Sequence, residues 1–180
     1  MSKILVDTID TRSGTSTLTL GSSNAGTIAL GSGDVQSNFL QPSFFVKLSS
    51  SQSISSGSFT KITFDSEEWD TDSAFASNKF TVPSGEGGKY FISAQLAISA
   101  SGSVVHRSDV YIYVNGSKVA TSTGFDSNNT QFVVFANIAL SLDLSAGDYV
   151  EVYNYNDVSS GTPVARASDK QSYFTGFKIT

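Results

Sequence analysis

Acidic side chains gather around Trp69, the only tryptophan of the chain. Carboxylate oxygens are ligands that Ca²⁺ prefers, and here they recur at closely spaced positions. The segment lacks the central glycine and the terminal glutamate of an EF-hand loop, so a second interpretation stays open: a solvated acidic loop over 65–75 with Trp69 packed beneath it. We favour the loop, and possible Ca²⁺ is the one cofactor we retain. The candidate ligands are Asp65, Glu67, Asp70 and Asp72.

The segment 140–155 holds a second set of candidates. Two strand-like halves flank a tight turn at 145–148, and we expect them to pair as a hairpin. Strand alternation puts the tyrosines on one face and Val150 and Val152 on the other, which suits the core. The tyrosine side then lies in a subunit interface, against a glycan, or in open solvent. The candidates are Tyr149, Tyr153, Tyr155 and Asn154, with Arg166 from the long polar loop 157–171.

His106, the only histidine, stands next to Arg107 in a polar turn. One histidine and no cysteine cannot form a His-based metal cage or a Cys–His pair within one chain, and there is no G-x-S-x-G motif. We interpret His106 as a solvated loop residue, with a threefold cluster in a trimer as the alternative. We do not expect an enzyme, since a glycan depolymerase would need paired carboxylates in a cleft.

The net charge of −5 and the absence of cysteine limit the kinds of partner that the chain is expected to bind. An acidic chain is poorly suited to a phosphate backbone, so nucleic acid is not expected. No apolar run reaches transmembrane length and the first ten residues contain no apolar signal segment. We therefore expect no membrane insertion, and synthesis in a host cytoplasm without a signal peptide.

Residues 1–38 differ from the rest and form a predicted N-terminal arm. The sequence TLTLGS at 17–22 recurs as TIALGS at 27–32, so each copy predicts a short strand closed by a turn. So few large apolar groups cannot offset the ordering entropy of the arm alone, which favours several chains wound together over a flexible linker. The arm loosely resembles attachment segments of phage fibre proteins. Its predicted packing residues are Leu18, Leu20, Ile28 and Leu30.

Residues 39–180 are rich in aromatic and β-branched residues. About ten short strands alternate with turns of Gly, Ser, Asn and Asp, and no segment has helical periodicity. Asn115-Gly116 is the strongest hairpin signal. The pattern predicts an all-β sandwich or barrel with its own core.

Three motifs within 44–180 resemble the globular head domain of complement subcomponent one-q and, more distantly, tumour necrosis factor. The first motif fits the spacing of the family up to Phe75. Its interval from Phe75 to Phe80 is shorter than in the family, and its interval from Phe80 to Gly88 is longer. The second is an L-x-L-x-x-GD-x-V pattern and the third a closing FxGF strand. The residues are Phe64, Asp70, Phe75, Phe80, Pro83, Gly88 and Tyr90; then Leu142, Leu144, Gly147, Asp148 and Val150; then Phe174, Gly176 and Phe177.

The resemblance implies a ten-stranded jelly roll that assembles as a homotrimer about a threefold axis, with motif residues that pack and form no active site. Combined with the arm, it predicts an all-β virion protein on a tail or capsid surface. The arm at 1–38 would attach it to other virion proteins or form a short stalk, and the jelly-roll head at 39–180 would face outward. We expect a phage tail fibre or receptor-binding protein whose head adheres to a host surface glycan or protein. The alternative is a head fibre or capsid decoration protein.

Overall fold

The computed structural model describes residues 41–128 and 130–179, which belong to one compact unit, Leu40–Thr180. The predicted arm, with Leu18, Leu20, Ile28 and Leu30, lies outside the described residues. No helix among those residues has the length and hydrophobicity to cross a membrane. The strands are β1 Ser43–Lys47, β2 Gln52–Ser53, β3 Thr60–Lys61, β4 Ser66–Asp70, β5 Phe75–Ala76, β6 Lys79–Thr81, β7 Gly88–Ala100, β8 Val105–Val114, β9 Ser117–Phe125, β10 Val133–Leu144, β11 Tyr149–Val158, β12 Pro163–Ala165 and β13 Tyr173–Lys178.

The strands form two antiparallel sheets that pack face to face. In sheet 1, β7 is the centre: β10 pairs with it on one side and β13 and β12 pair on the other, followed by β1, β4 and β2. Sheet 2 has the order β5-β6-β11-β8-β9, with β3 also paired to β11. The all-β sandwich is therefore confirmed. Three of the thirteen strands in the described part of the chain are only two residues long, and the other ten match the predicted number.

Aromatic rings fill the space between the two sheets. The Phe44 ring stacks on Phe80 at 4.5 Å between centroids and meets the edge of Phe174 at 4.8 Å. Alternation along β7 turns every second side chain, from Tyr90 to Ile98, into the same core. Burial raises the pKa of Tyr90 to about 12, and its hydroxyl donates to the Glu86 carbonyl oxygen at 2.6 Å.

Gly176 explains why the closing motif carries glycine at that point. A Cβ added there would lie 2.8 Å from Ile92 Cδ1 and 2.9 Å from Phe44 Cε1. Because real Cβ atoms do not approach so closely, only glycine lets β13 lie flat over these side chains. The motif glycine is thus a packing residue, as the resemblance implied. Phe177 is different, because its side chain points away from the core and is half exposed.

The predicted hairpin at 140–155 is wrong. The turn itself exists: the Asp148 carboxylate accepts the Ser145 amide hydrogen at 2.7 Å, and Gly147 has a φ of +89°. However, β10 pairs with β7 in sheet 1, whereas β11 pairs with β8 in sheet 2. The turn therefore carries the chain from one sheet to the other, a connection that local alternation cannot distinguish from a hairpin.

The hairpin predicted at Asn115-Gly116 is confirmed. Both residues have positive φ, and β8 and β9 pair antiparallel on either side of them. The Asn115 side chain also donates to Asp148 at 2.7 Å and accepts the Tyr149 amide hydrogen at 3.0 Å. This asparagine therefore ties the hairpin turn to the turn between the sheets.

We expect Phe174→Ala to lower the free energy of unfolding by about 3–5 kcal/mol, since it removes a ring that contacts several other rings in the core. Urea denaturation measures this. The control is Val119→Ala on the exposed side of β9, which should cost no more than about 0.5 kcal/mol. Equal losses in the two variants would contradict the assignment of the core.

Candidate functional site

The outer side of sheet 2 carries a continuous aromatic surface, which we call the tyrosine face. Its rings come from the neighbouring strands β8 and β11 and from the segment before β3. Tyr113 and Tyr153 lie 4.4 Å apart between centroids, and Phe59, which is 55% exposed, lies within 5.4 Å of both Tyr111 and Tyr155. The residues of the face are Phe59, Tyr111, Tyr113, Tyr149, Tyr153 and Tyr155.

The alternation predicted for β11 is confirmed. Val150 and Val152 are buried in the core between the sheets, and the three tyrosines of this strand are half-buried on the outer side. The surface is therefore built by one strand that is apolar inward and aromatic outward.

A fully buried carboxylate, Asp109, lies beneath the tyrosine face. The Arg107 guanidinium contacts the two oxygens of this carboxylate through Nε at 2.9 Å and Nη2 at 2.7 Å. The Tyr111 hydroxyl donates a hydrogen bond to the same carboxylate at 2.6 Å. Burial by itself raises the pKa of Asp109, but the hydrogen bonds from Arg107, Tyr111 and Thr123 outweigh burial and lower the pKa. The network fixes Arg107, whose guanidinium lies 5.4 Å from the centre of the Tyr155 ring.

A second carboxylate, Glu151, is held in the same way farther along β11. Lys61 Nζ donates to its Oε1 at 2.6 Å and also to the Ser77 carbonyl oxygen at 3.2 Å. Burial, and then the charge of Glu151, raise the pKa of Tyr153, so its hydroxyl stays protonated at neutral pH. The polar groups of the face are thus fixed before any ligand arrives.

Asn154 was a candidate for contact with a ligand or a neighbouring subunit, and its burial contradicts both. Its side chain points inward and is fully buried, with Nδ2 donating to the Asp109 carbonyl oxygen at 2.8 Å. Asn156 follows it on the same side and donates to the Asn154 Oδ1 at 2.8 Å. Strand alternation could have revealed this, because even-numbered residues of β11 face the core.

Arg166 is not brought to the tyrosine face. It follows β12 of sheet 1 and lines a separate open cavity of about 300 Å³ with Phe132, Val164 and Thr162, among others. The predicted polar loop 157–171 also contains more structure than expected, since β11 extends to Val158 and β12 forms a strand.

The acidic segment is a strand, which corrects the predicted loop. Residues 66–70 form β4, and Trp69 is half exposed against Phe45 instead of lying beneath a loop. Asp65 is bound by the Ser49 amide and hydroxyl, and these hydrogen bonds lower its pKa. Asp70 accepts the amide hydrogens of Ala74 and Phe75, so it stabilises a turn.

The candidate calcium ligands are not brought together. Within residues 41–128 and 130–179, no group of three His, Cys, Asp or Glu side chains could hold a metal ion. Asp72 accepts the Thr71 hydroxyl at 2.8 Å, and Glu67 lies exposed on β4. His106 was predicted in a polar turn, but it belongs to β8, where its carbonyl oxygen accepts the Asp126 amide hydrogen.

The outer side of sheet 1 carries a second aromatic surface, the sheet 1 patch. Phe45 lies between Trp69 at 5.2 Å and Tyr173 at 5.4 Å, and Phe91 lies 5.3 Å from Phe177. Lys170 lies over the Phe45 ring and pairs with Glu68. The patch is therefore a broad apolar surface with a charged rim, of the kind that marks protein contact sites.

A third apolar surface, the edge patch, lies where β9 and β10 form one side of the sandwich. It consists of Phe125, Phe132 and Phe135, and Phe125 is 71% exposed. The two strands come very close here, because a Cβ on Gly124 would lie 2.2 Å from the Phe135 carbonyl oxygen. The edge patch and the sheet 1 patch are made of different residues. Phe135 pairs with Ala97 and faces the outer side of sheet 1, near the end of β7 away from Phe91, and Phe125 lies over Arg107 at 5.6 Å on the outer side of sheet 2.

Sequence reasoning missed most of the exposed aromatic residues. Phe59 and Tyr113 lie in segments that were predicted as strands without assigning their outer faces. Tyr111, which is only 6% exposed, packs against Phe59. The missing signal was the alternation itself: once Phe44 and Phe174 are placed in the core, Phe45 and Tyr173 must point outward. The pairing of β1 with β13 then brings them together, and that pairing is not visible in either segment alone.

No family profile and no curated relative matches the chain. Solved structures do match. The globular domain of zebrafish complement 1qA protein has 18% identity and a TM-score of 0.56, covering 78% of this chain and 98% of that one. Murine APRIL at pH 5.0 has 11% identity and a TM-score of 0.57, covering 77% and 99%. The Eiger TNF from S. frugiperda has 12% identity and a TM-score of 0.54, covering 77% and 91%. The likeness confirms the fold that the three motifs predicted.

The lowered pKa of Asp109 predicts an acid-sensitive stability. An unfolded aspartate titrates near pH 4, so the network stabilises the fold above about pH 4 and loses that contribution as the pH falls through the lower pKa of the folded state. We expect the urea midpoint of the wild type to fall over this range. In Asp109→Asn the urea midpoint should fall less over this pH range, because the titrating carboxylate is absent. In Tyr111→Phe, which removes one hydrogen bond to Asp109, the fall should be intermediate between those of the wild type and Asp109→Asn. Identical curves for wild type and Asp109→Asn would contradict the assignment.

Proposed function

We propose that the protein is a homotrimeric virion appendage, a phage tail fibre or receptor-binding protein whose head adheres to the host surface. The observation that carries the proposal is the presence of two separate apolar surfaces, the sheet 1 patch and the edge patch, on one head. Neither is covered by the described residues, and monomeric proteins seldom expose large apolar patches. Both therefore call for a partner.

The simplest partner is a second copy of the chain. When the edge patch of one copy contacts the sheet 1 patch of the next, the contact is heterologous, and it closes only as a ring. A ring of three agrees with the trimers implied by the one-q and tumour necrosis factor resemblance. Such a ring leaves Tyr113, Tyr149 and Tyr153 on the outside, where they can contact a host surface. The contact adjoins the other end of the tyrosine face, because Phe125 of the edge patch lies 5.6 Å from the Arg107 guanidinium.

The virion setting is supported by the arm at 1–38. Its repeated TLTLGS-type segments suit a short stalk of several wound chains, which would place the heads outward from an attachment point. Binding, not catalysis, is the activity that this arrangement supports, because the exposed faces carry aromatic rings and paired charges.

Charge placed in either apolar patch should break the ring. We expect the full chain to have the mass of three 19.0 kDa subunits in solution, and Phe135→Asp and Phe177→Asp each to reduce it toward one subunit. Phe59→Asp on the tyrosine face is the matched control and should stay trimeric. A wild-type monomer at micromolar concentration would contradict the proposal.

Mixing the two variants tests the heterologous contact. Phe135→Asp keeps an intact sheet 1 patch and Phe177→Asp keeps an intact edge patch, so the mixture can form one good contact. We expect heterodimers in the mixture, measured by native mass spectrometry, and monomers in each variant alone. A dimer formed by one variant alone would indicate an isologous contact and overturn the ring.

Labelling of particles tests the virion assignment. An antibody against the head, imaged on purified phage particles by electron microscopy, should mark the tail tip or baseplate. Label over the capsid shell would favour the alternative, a head fibre or decoration protein. Particles without label would contradict both.

A further inference from the structure

We propose that the tyrosine face binds an oligosaccharide that carries carboxylate groups. The inference rests on the proposed adhesive function and adds to it the chemical class of the ligand. It is argued from the geometry of the rings, the rigidity of their supports and the charges around them.

The rings form a surface that suits sugars. Tyr113 and Tyr153 lie side by side across β8 and β11, and Phe59 extends the apolar area beyond Tyr155. The C–H face of a hexose is apolar and stacks on aromatic rings, while its hydroxyl groups need hydrogen-bond partners at the rim. Tyrosine supplies both, since it presents an apolar ring and a hydroxyl that donates and accepts.

The supports of the face are rigid. Asp109 holds Arg107 and Tyr111, and Glu151 holds Lys61, so few side chains must be ordered when a ligand binds. Binding to a fixed surface costs less conformational entropy than binding to a mobile one.

The charges favour an acidic ligand. The two carboxylates beneath the rings are paired with cations, Asp109 with Arg107 and Glu151 with Lys61. A third carboxylate, Asp157, lies exposed at the end of β11, opposite Arg107 in the strand register. Lys79 lies 4.3 Å from the centre of the Tyr149 ring and Lys118 lies 5.3 Å from that of Tyr111, and neither forms an ion pair with another described residue. Two unpaired lysines against one exposed carboxylate leave the free charge on this face positive, although the chain as a whole carries −5.

A nucleic-acid strand also combines stacking groups with negative charge. It carries a phosphate for every nucleotide, however, and this face offers two unpaired lysines in an acidic chain. A sugar chain with occasional carboxylates fits that charge density better.

The test uses the full-length protein on an array of carboxylated oligosaccharides, each printed beside its carboxyl-reduced form. We expect binding to carboxylated members that weakens with added salt. Tyr153→Ala should weaken binding to both forms about tenfold, because a stacked ring is lost. Lys118→Gln should remove the preference for the carboxylated form, and Lys89→Gln on sheet 1 is the matched control that should change nothing.

Several results would overturn the inference. One is sugar binding that Tyr153→Ala and Tyr155→Ala leave intact, or that Arg166→Ala abolishes. Tighter binding of an oligothymidylate than of any sugar would indicate nucleic acid instead. If the protein binds no sugar on the array, but host cells bind the wild type and not Tyr153→Ala, the adhesive function is supported and the proposed class of ligand is wrong. If cells adsorb neither protein, the proposed function fails as well.

Discussion

Burial of the Phe44, Phe80 and Phe174 rings between the two sheets is the interaction on which the rest of the head depends. These rings come from β1, β6 and β13, and their contact fixes which side of each strand faces inward. Because side chains alternate along a strand, fixing the inner side also fixes the outer side. The exposed aromatic surfaces are therefore set by the core: Phe45 and Phe177 point outward because Phe44 and Phe174 point inward.

The two sheets use their outer sides differently. Sheet 1 presents phenylalanine and tryptophan, with charges only at the rim, whereas sheet 2 presents tyrosines above buried carboxylates that are paired with Arg107 and Lys61. An apolar surface of the first kind gains from excluding water against another protein. A surface of the second kind keeps hydroxyl groups and charges in place for a polar ligand. This division supports assembly through sheet 1 and recognition through sheet 2.

Much of the fold could be predicted from local patterns. Alternation placed Val150 and Val152 in the core, and Asn115-Gly116 marked a true hairpin. The predictions that were wrong depended on pairing between segments that are distant in the sequence. The turn at 145–148 has the same local chemistry whether it joins strands of one sheet or of two, and only the long partner strand β7 decides the matter. Trp69 was misplaced for a related reason: carboxylates suggested solvent, but pairing of β4 with β1 puts it on a strand. The tyrosine face was predicted in part. Alternation within β11 indicates its outward tyrosines, whereas the neighbouring tyrosines of β8 join them only through the pairing of the two strands.

The central claim is that three heads close into a ring through contacts between the edge patch and the sheet 1 patch. The chain has no cysteine, so Phe135→Cys/Phe177→Cys provides one reactive site in each patch and no others. Within one chain these positions lie on β10 and β13, on opposite sides of β7. Treatment with a short bismaleimide at low protein concentration should give covalent products that stop at three chains on a denaturing gel. Products that stop at two chains, or a ladder that continues past three, would contradict the ring.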